Sequence, residues 1–511
     1  MDVKTKQSRI DNEPAEVLVL SHFEGETALQ ADVASLDRAL RGAVRDLLKS
    51  GEFEGKLNQT VILHTQGALP AKRVLFVGLG KLKEARLDVV RQAMGTAIKR
   101  VRQAGARSCI TSLPGEAIPQ ASALEVAQAM TEGAILGGYQ FTAYRSNNSG
   151  DEVKDVERMT VIEARAGRMD DVKEGIRRGR AGAEAALFVR DLCNHPSNVM
   201  TPARIAAEAK KIGKEKGMRV KILERRQVEK LGMGAFLGVA RGSHEAPKFI
   251  ILEYQGKKTT GRNGQIGNPI VLVGKTITFD TGGISLKPAE NMEQMKADMT
   301  GGAEVLASIR AASRLNLPLH VIGLLPATEN MPGGRAIKPG DILKTLSGQT
   351  VEVQNTDAEG RLILADGLNY ATRYKPAAII DVATLTGACM VALGQFAVGM
   401  LGNNADLKKR IEEAGLKTGE RVWEIPLWEE YFEQLRSDVA DMRNIGGRGD
   451  GMITAALFLS KFVADYPWVH LDLASTDWSE RERPYISRGP TAIGTRLLIQ
   501  FLIDQAETKS Y

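Results

Sequence analysis

"NTDAEGRLILADGLNYATRYKPAAIIDVATL" (355–385) sets the fold class. Leu364, Leu368 and Ala371 recur at helical spacing, so the run from about Leu362 to Tyr374 predicts a helix with a buried stripe. "AAIIDVATL" (377–385), short and almost wholly apolar, predicts a strand covered on both faces. A helix leading into such a strand is the repeating unit of an α/β domain. The beginning of the stretch does not fit a plain core. Asp357, Glu359 and Arg361 occupy alternate positions just ahead of the apolar run. Buried charge costs free energy unless it is paired, metal-bound or facing water.

Outward from this stretch the same alternation continues. "KFIILEY" (248–254), "PIVLVG" (269–274), "LHVIGLLPA" (319–327), "TVEVQN" (350–355) and "WVHLDLAS" (468–475) read as strands, with helical patterns between several of them, notably at 301–315. They imply a largely parallel sheet, and ligands of such sheets gather at the carboxyl ends of the strands. Nearer the N-terminus, "AEVLVLSHF" (15–23), "TVILHT" (60–65) and "RVLFVGLG" (73–80) predict strands, and 84–104 and 122–136 predict helices. The polar stretch 144–158 reads as a surface loop. A long helix from about Asp170 to Cys193 follows and is stopped by "NHPSN". The expected class is α/β with two domains: a smaller N-terminal α/β domain (1–168), a connecting helix (169–195) and a C-terminal α/β domain (196–511). The last would carry a central, mostly parallel mixed sheet flanked by helices.

Composition bounds the partners. The chain has 511 residues, 43% hydrophobic and 25% charged, which is ordinary for a globular protein of two or more domains. Sixty-eight basic residues against 62 acidic ones leave +6, which permits weak attraction to nucleic acid without requiring it. The polar first residues lack the apolar core of a signal peptide. The most apolar long run (384–400) is broken by glycines and a glutamine, so no membrane partner is expected. Three widely spaced cysteines form no zinc-type pair, and a cytoplasmic location is the expectation.

A second charged cluster lies in "VLVGKTITFDTGGISLKPAENMEQMKADMTGGAEV" (271–305). Lys275 leaves an apolar strand, Asp280 precedes two glycines, Lys287 precedes a proline, and Asp298 stands before a helix. Singly, each has a plain reading: Asp298 as a helix cap, Lys275 snorkelling, Lys287 in water. Together, Asp280, Asp298, Asp357 and Glu359 are four carboxylates at strand ends or helix starts of one sheet. Oxygen ligands of this kind suit divalent ions, and carboxylates can bridge two of them. None of the six histidines lies in either cluster. A lysine can substitute as a ligand only as the neutral amine, and Lys275 is the better candidate of the two. Two divalent ions would balance the four carboxylates, leaving Lys287 and Arg361 to meet negative charge on a substrate or bound anion. Arg361, with its planar fork, suits a small carboxylate-like anion.

At these residues the chain resembles the leucyl (cytosol) aminopeptidase family, dinuclear metallo-exopeptidases whose signature is the octapeptide "NTDAEGRL" (355–362). The likeness extends through "RDLCNHPSNVMTP", "DVATLTGACMVALG", "SDVADMRN", "GMITAALFLSKFV" and "WVHLDLAS", covering roughly Asp191 to Leu502. The resemblance implies that residues 196–511 form a catalytic metallopeptidase domain. Lys275 and Asp298 would ligate the tighter metal, Asp357 the more exchangeable one, and Asp280 and Glu359 would bridge both. Lys287 would polarise the scissile carbonyl, and Arg361 would hold a bicarbonate acting as general base. The implied metals are zinc and manganese, with magnesium also admitted at the exchangeable site.

The implied reaction is hydrolysis of the N-terminal peptide bond of peptides, by a hydroxide bridging the two metals. Met295, Thr384, Gly387 and Ala474 would line an apolar pocket for a leucine-like first residue. A homohexamer is implied as well. Thr276 stands where the family usually has glycine, and Asp477 is a departure near the pocket. The alternative reading is a DNA-binding or regulatory protein using a basic surface, since "IKRVRQAGAR" (98–107) and "KEGIRRGR" (173–180) are basic. The aromatic interleaving of single-strand binders is absent from both, so nucleic acid is permitted as a partner but not indicated.

Overall fold

The computed structural model describes the chain except residues 27–28, 30, 115–117, 119–120, 147–154, 258–266, 448 and 509–511, so the middle of the 144–158 loop lies outside the described residues. Two units divide it: Met1–Glu184 with Arg481–Arg488, and Ala185–Glu480 with Gly489–Tyr511. The helix Met169–Asn194 runs through the division. Residues 481–488, which the sequence reading left in the 196–511 domain, cluster with the first unit. The Tyr485 hydroxyl donates to Asp88 at 2.6 Å, and Lys99 Nζ donates to the Arg483 carbonyl at 2.6 Å.

The first unit is built on six strands: β1 (Asp2–Gln7), β2 (Val17–His22), β3 (Thr60–His64), β4 (Arg73–Gly78), β5 (Ser108–Ser112) and β6 (Arg158–Glu163), in the order β1-β6-β5-β2-β4-β3. All pairs are parallel except β3–β4. The central β2 and β4 are apolar because both faces are covered. Leu18, Leu20, Val74 and Phe76 pack with Leu36, Val44 and Leu47 from two short helices on one side. Strand β1 lies in a stretch that reads only as polar. It is an edge strand that buries Val3 alone among mostly exposed polar residues, which is how edges avoid unwanted pairing.

The second unit carries a nine-stranded sheet. Its strands are β7 (Met218–Glu224), β8 (Lys248–Gln255), β9 (Ile270–Gly274), β10 (Thr276–Asp280), β11 (His320–Asn330), β14 (Ala378–Ala383), β15 (Val398–Gly402), β16 (Val422–Glu424) and β18 (Trp468–Asp472). Three others, β12 (Ile342–Lys344), β13 (Thr350–Glu352) and β17 (Met442–Arg443), form a separate three-stranded sheet, and β19 (Trp478–Ser479) pairs with β20 (Gly489–Pro490). "TVEVQN" is therefore strand only over its first half, and it leaves the main sheet. In the main sheet β18, β14, β9, β11 and β10 run parallel to their neighbours in this group, so their carboxyl ends share one edge.

Strand β9 explains its own composition. Val271 and Val273 join the core cluster that includes Leu362, Leu364 and Leu368 of the helix Glu359–Thr372. Gly274 faces Gly301 and Gly302 of the helix Thr300–Arg314 on the other side. A strand covered twice has no position for a polar side chain until it ends. It ends at Lys275. No helix among the described residues is long and apolar enough to cross a membrane.

Candidate active site

Residues at the carboxyl ends of neighbouring parallel strands supply the site. Lys275 follows β9, Asp280 closes β10, Asn330 closes β11, Thr384 follows β14 and Asp472 closes β18. Asp298 stands between the 3-10 helix Met292–Ala297 and the helix Thr300–Arg314. The helix expected from Leu362 starts at Glu359, so Glu359 and Arg361 sit on its first turn and are buried, not ahead of it. Asp357 lies in the preceding turn, where its N–H donates to Asn355 Oδ1 at 2.8 Å.

The structure brings the seven charged residues of the sequence reading to this one edge. Carboxylate oxygens of Asp280, Asp357 and Glu359 lie within 4.8 Å of one another. Lys275 Nζ is 2.7 Å from Asp298 Oδ1 and 2.9 Å from Glu359 Oε1, and donates to the Thr384 carbonyl at 2.9 Å. Lys287 Nζ spans Asp280 at 2.9 Å and Asp357 at 2.5 Å. Gly360 packs against Lys275: a Cβ there would come within 2.6 Å of Lys275 Cε, so the lysine would have to shift. Thr276 causes no crowding. It is buried, its hydroxyl donates to the Gly274 carbonyl at 2.8 Å, and the bare Cα of Gly302 faces it.

Electrostatics mark the cluster as overloaded with acid. Burial, and then Asp280 beside it, push Glu359 up to about 7. Burial raises Asp298, and burial with Asp280 raises Asp357. Burial alone would lower Lys275, but Asp298, Glu359 and Asp280 outweigh it and hold the group as an ammonium ion above its ordinary range. Lys287 is raised in the same way, its burial outweighed by Asp280, Glu359 and Asp357. Four carboxylates thus face two ammonium groups, and Asp298 Oδ2 is buried without a hydrogen-bond partner. This donor set fits divalent metal ions: hard oxygens, surplus negative charge and a free buried acceptor. Arg361 is buried, donates through Nη1 to the Asn444 carbonyl at 2.7 Å, and keeps Nε without a partner, so part of its fork remains for an anion. Burial lowers it to about 10.

Of the expected pocket residues, Thr384 joins the cluster directly, donating through Oγ1 to Asp298 Oδ1 at 2.6 Å. Met295 is half-buried in the 3-10 helix before Asp298. Gly387 is exposed at the start of the helix Gly387–Leu393, and Ala474 is half-buried just after β18. Asp477 follows one turn later, where burial, with Asp472 nearby, pushes its carboxyl up to about 7.

Several residues that hold this geometry were not singled out from sequence. Asn330 Nδ2 donates to Asp280 Oδ1 at 2.8 Å and to the Thr356 carbonyl at 3.0 Å, with Glu359 Oε2 at 3.4 Å. Asn444 is a template for the signature loop: its Oδ1 accepts from the N–H groups of Gln354 and Asn355, and its Nδ2 donates to the Asn355 carbonyl at 2.6 Å. Asp472 accepts from the Thr386 hydroxyl at 2.6 Å and from the Leu385 N–H at 3.1 Å, fixing the loop after β14. Asp366, which has no part in the signature, accepts from the N–H groups of Phe236 at 2.9 Å and Leu346 at 2.7 Å. "SDVADMRN" and "WVHLDLAS" contain two of these residues, so the resemblance marked their neighbourhoods but not their roles.

Comparison with known proteins identifies the family. Residues 187–499 match the catalytic domain of the cytosol aminopeptidase family, and residues 19–148 match that family's N-terminal domain. A probable cytosol aminopeptidase of Geotalea uraniireducens is 47% identical over 469 residues, covering 91% of this chain and 92% of the relative. One from Geobacter sulfurreducens is 46% identical, covering 96% of each. Among solved structures, a mutant of tomato leucine aminopeptidase superposes with a TM-score of 0.87 at 32% identity, covering 99% of this chain and 96% of that one. The bottromycin maturation enzyme BotP in complex with Mn superposes with a TM-score of 0.84 at 32% identity, covering 96% and 100%. The chain therefore belongs to the cytosol aminopeptidase family and is a metal-dependent aminopeptidase.

Proposed function

We propose that the enzyme removes leucine-like apolar residues from the N-termini of peptides, with Lys275, Asp280, Asp298, Asp357 and Glu359 holding two divalent metal ions. The observation that carries this reading is the imbalance of the buried cluster, in which carboxylates outnumber ammonium groups two to one. Zinc or manganese suits these donors, with magnesium admitted at the more exposed Asp357 side. When bound, such ions supply a nucleophile at neutral pH and polarise the scissile carbonyl.

The chain's own residues do the rest. Lys275, now an ammonium ion against Asp298 and Glu359, would hold a metal only as the neutral amine, a form that a neighbouring cation favours. Asn330 holds Asp280 and Glu359 at fixed positions throughout. Lys287, partly exposed and reaching across Asp280 and Asp357, places its ammonium group where negative charge develops on the carbonyl oxygen. Arg361 offers its free Nε to a bicarbonate ion as general base, held rigid by the Asn444 carbonyl. Met295, Thr384, Gly387 and Ala474 line the pocket for the first side chain. The assembly is a homohexamer in the cytoplasm.

The reading is tested by comparing leucine p-nitroanilide with its N-acetylated form. Hydrolysis of the free-amine substrate alone is expected, with kcat falling far more than KM rises in Lys287→Ala. Equal cleavage of the blocked substrate, or full activity in Lys287→Ala, contradicts it.

A further inference from the structure

A second polar site in the larger unit shares no lining residue with the carboxylate cluster. A cavity of ≈ 640 Å³ is lined by Arg225 from the helix Arg225–Leu231, Arg241, Ser243 and His244 from the loop before β8, and Arg335 from the loop after β11. Its size is that of a small-molecule site. The walls are built rather than incidental. Gly242 packs so tightly on Met331 that a Cβ would lie 1.8 Å from that carbonyl oxygen, and Gly333 stands likewise against the Gly242 carbonyl. Ser243 Oγ donates to Glu329 Oε2 at 2.5 Å and accepts from the Glu245 N–H at 2.9 Å. These contacts lock the two arginine-bearing loops to each other and to the end of β11.

The charge in this cavity is one-sided. Among the described residues none of the three guanidinium groups has an ion-pair partner. Glu229 is the one acid in the lining. Asp341 lies within electrostatic reach of Arg241, but its carboxylate is taken by Lys338, at 3.0 Å from the N–H and 3.1 Å from Nζ. Arginine cannot relieve such crowding by losing its proton. Three unpaired, fork-shaped donors around one open cleft match the tetrahedral, multiply charged oxyanion of a phosphate better than a single carboxylate. Glu329 and Asn330 are adjacent on β11 and alternate in direction, so the strand that carries Ser243's acceptor towards this cavity carries Asn330 towards the carboxylate cluster.

We propose that this cleft is a binding site for a small phosphate-bearing anion, held by Arg225, Arg241 and Arg335 and separate from the peptidase centre. The test is calorimetric titration of the metal-loaded enzyme with inorganic pyrophosphate and with ADP at near-physiological salt. Binding is expected, weakened about ten-fold or more in Arg241→Gln/Arg335→Gln, and tightened in Glu229→Gln, a gain that misfolding cannot imitate. Leucine-anilide hydrolysis is expected to survive in all variants. Tighter binding of ADP than of pyrophosphate assigns the rest of the cavity to an organic group, and equal binding assigns the site to a free oxyanion. Binding unchanged in the arginine variant would place the anion on the metals and overturn the proposal. So would absence of binding, or a variant whose only change is its oligomeric state.

Discussion

Each unit buries charge, and one site in each does so in opposite ways. In the first unit, Arg91 and Glu132 meet at 2.5 Å with each side chain only 1% exposed, and Gln128 Nε2 donates to the second Glu132 oxygen at 3.0 Å. One cation meets one anion, and Gln128 occupies the carboxylate's second oxygen. In the second unit two lysines face four carboxylates, one of whose oxygens has no partner. A balanced buried pair serves structure, because losing either partner strands the other. An unbalanced cluster stores a demand for positive charge, and that demand is functional.

The sharpest way to break this contrast is to neutralise one acid in each place. Glu132→Gln strands Arg91 and is expected to destabilise the protein by about 3–5 kcal/mol in denaturant unfolding. Glu359→Gln in metal-stripped protein relieves like-charge crowding instead, and its melting temperature is expected to rise by about 2 °C or more while activity is lost. If both substitutions destabilise equally, the contrast is wrong. Lys287→Ala is expected to lower kcat by roughly 10²–10³-fold, the usual cost of losing one oxyanion donor, with little change in melting temperature.

Much of the charged cluster was legible because its residues sit in two short strings, and an acid or lysine next to an apolar strand is visible locally. What was not legible depends on chain segments far apart. Asn330 reaches Glu359 across 29 positions, and Asn444 reaches Asn355 across 89. Nothing in "ENMP" or "DMRN" alone announces such contacts. The helix start was misplaced for a related reason. Glu359 and Arg361 look like surface residues by charge, and only their partners make them affordable inside a first turn. The main sheet was readable from doubly covered strands, whereas polar β1 and the departure of β13 into another sheet follow from pairings that periodicity does not encode.

Asp366 sharpens the comparison through pH. Burial raises its carboxyl from near 4 to about 7, against the opposing hydrogen bonds from Phe236 and Leu346. The folded state therefore binds this proton more tightly than the unfolded state does. Its contribution is full below pH ~4 and is lost as pH rises through about 7, at roughly 1.4 kcal/mol per pH unit at most. The stability of the natural protein relative to Asp366→Asn should decline over that window in urea titrations, and a flat difference would refute the assignment. The smallest effect belongs to the first unit. Ser122 caps the helix Ala123–Gly137 in a reciprocal arrangement with Glu125, so Ser122→Ala should cost about 1 kcal/mol and leave peptidase activity intact.

The central claim, that the surplus carboxylates exist to hold divalent metal for peptide hydrolysis, is tested most directly by stripping and restoring the metal. Leucine p-nitroanilide hydrolysis is followed after exhaustive chelation and again on adding manganese or zinc, with bound metal measured alongside. The account predicts that activity disappears on chelation and returns in step with the metal taken up. Full turnover by protein shown to be metal-free would contradict it.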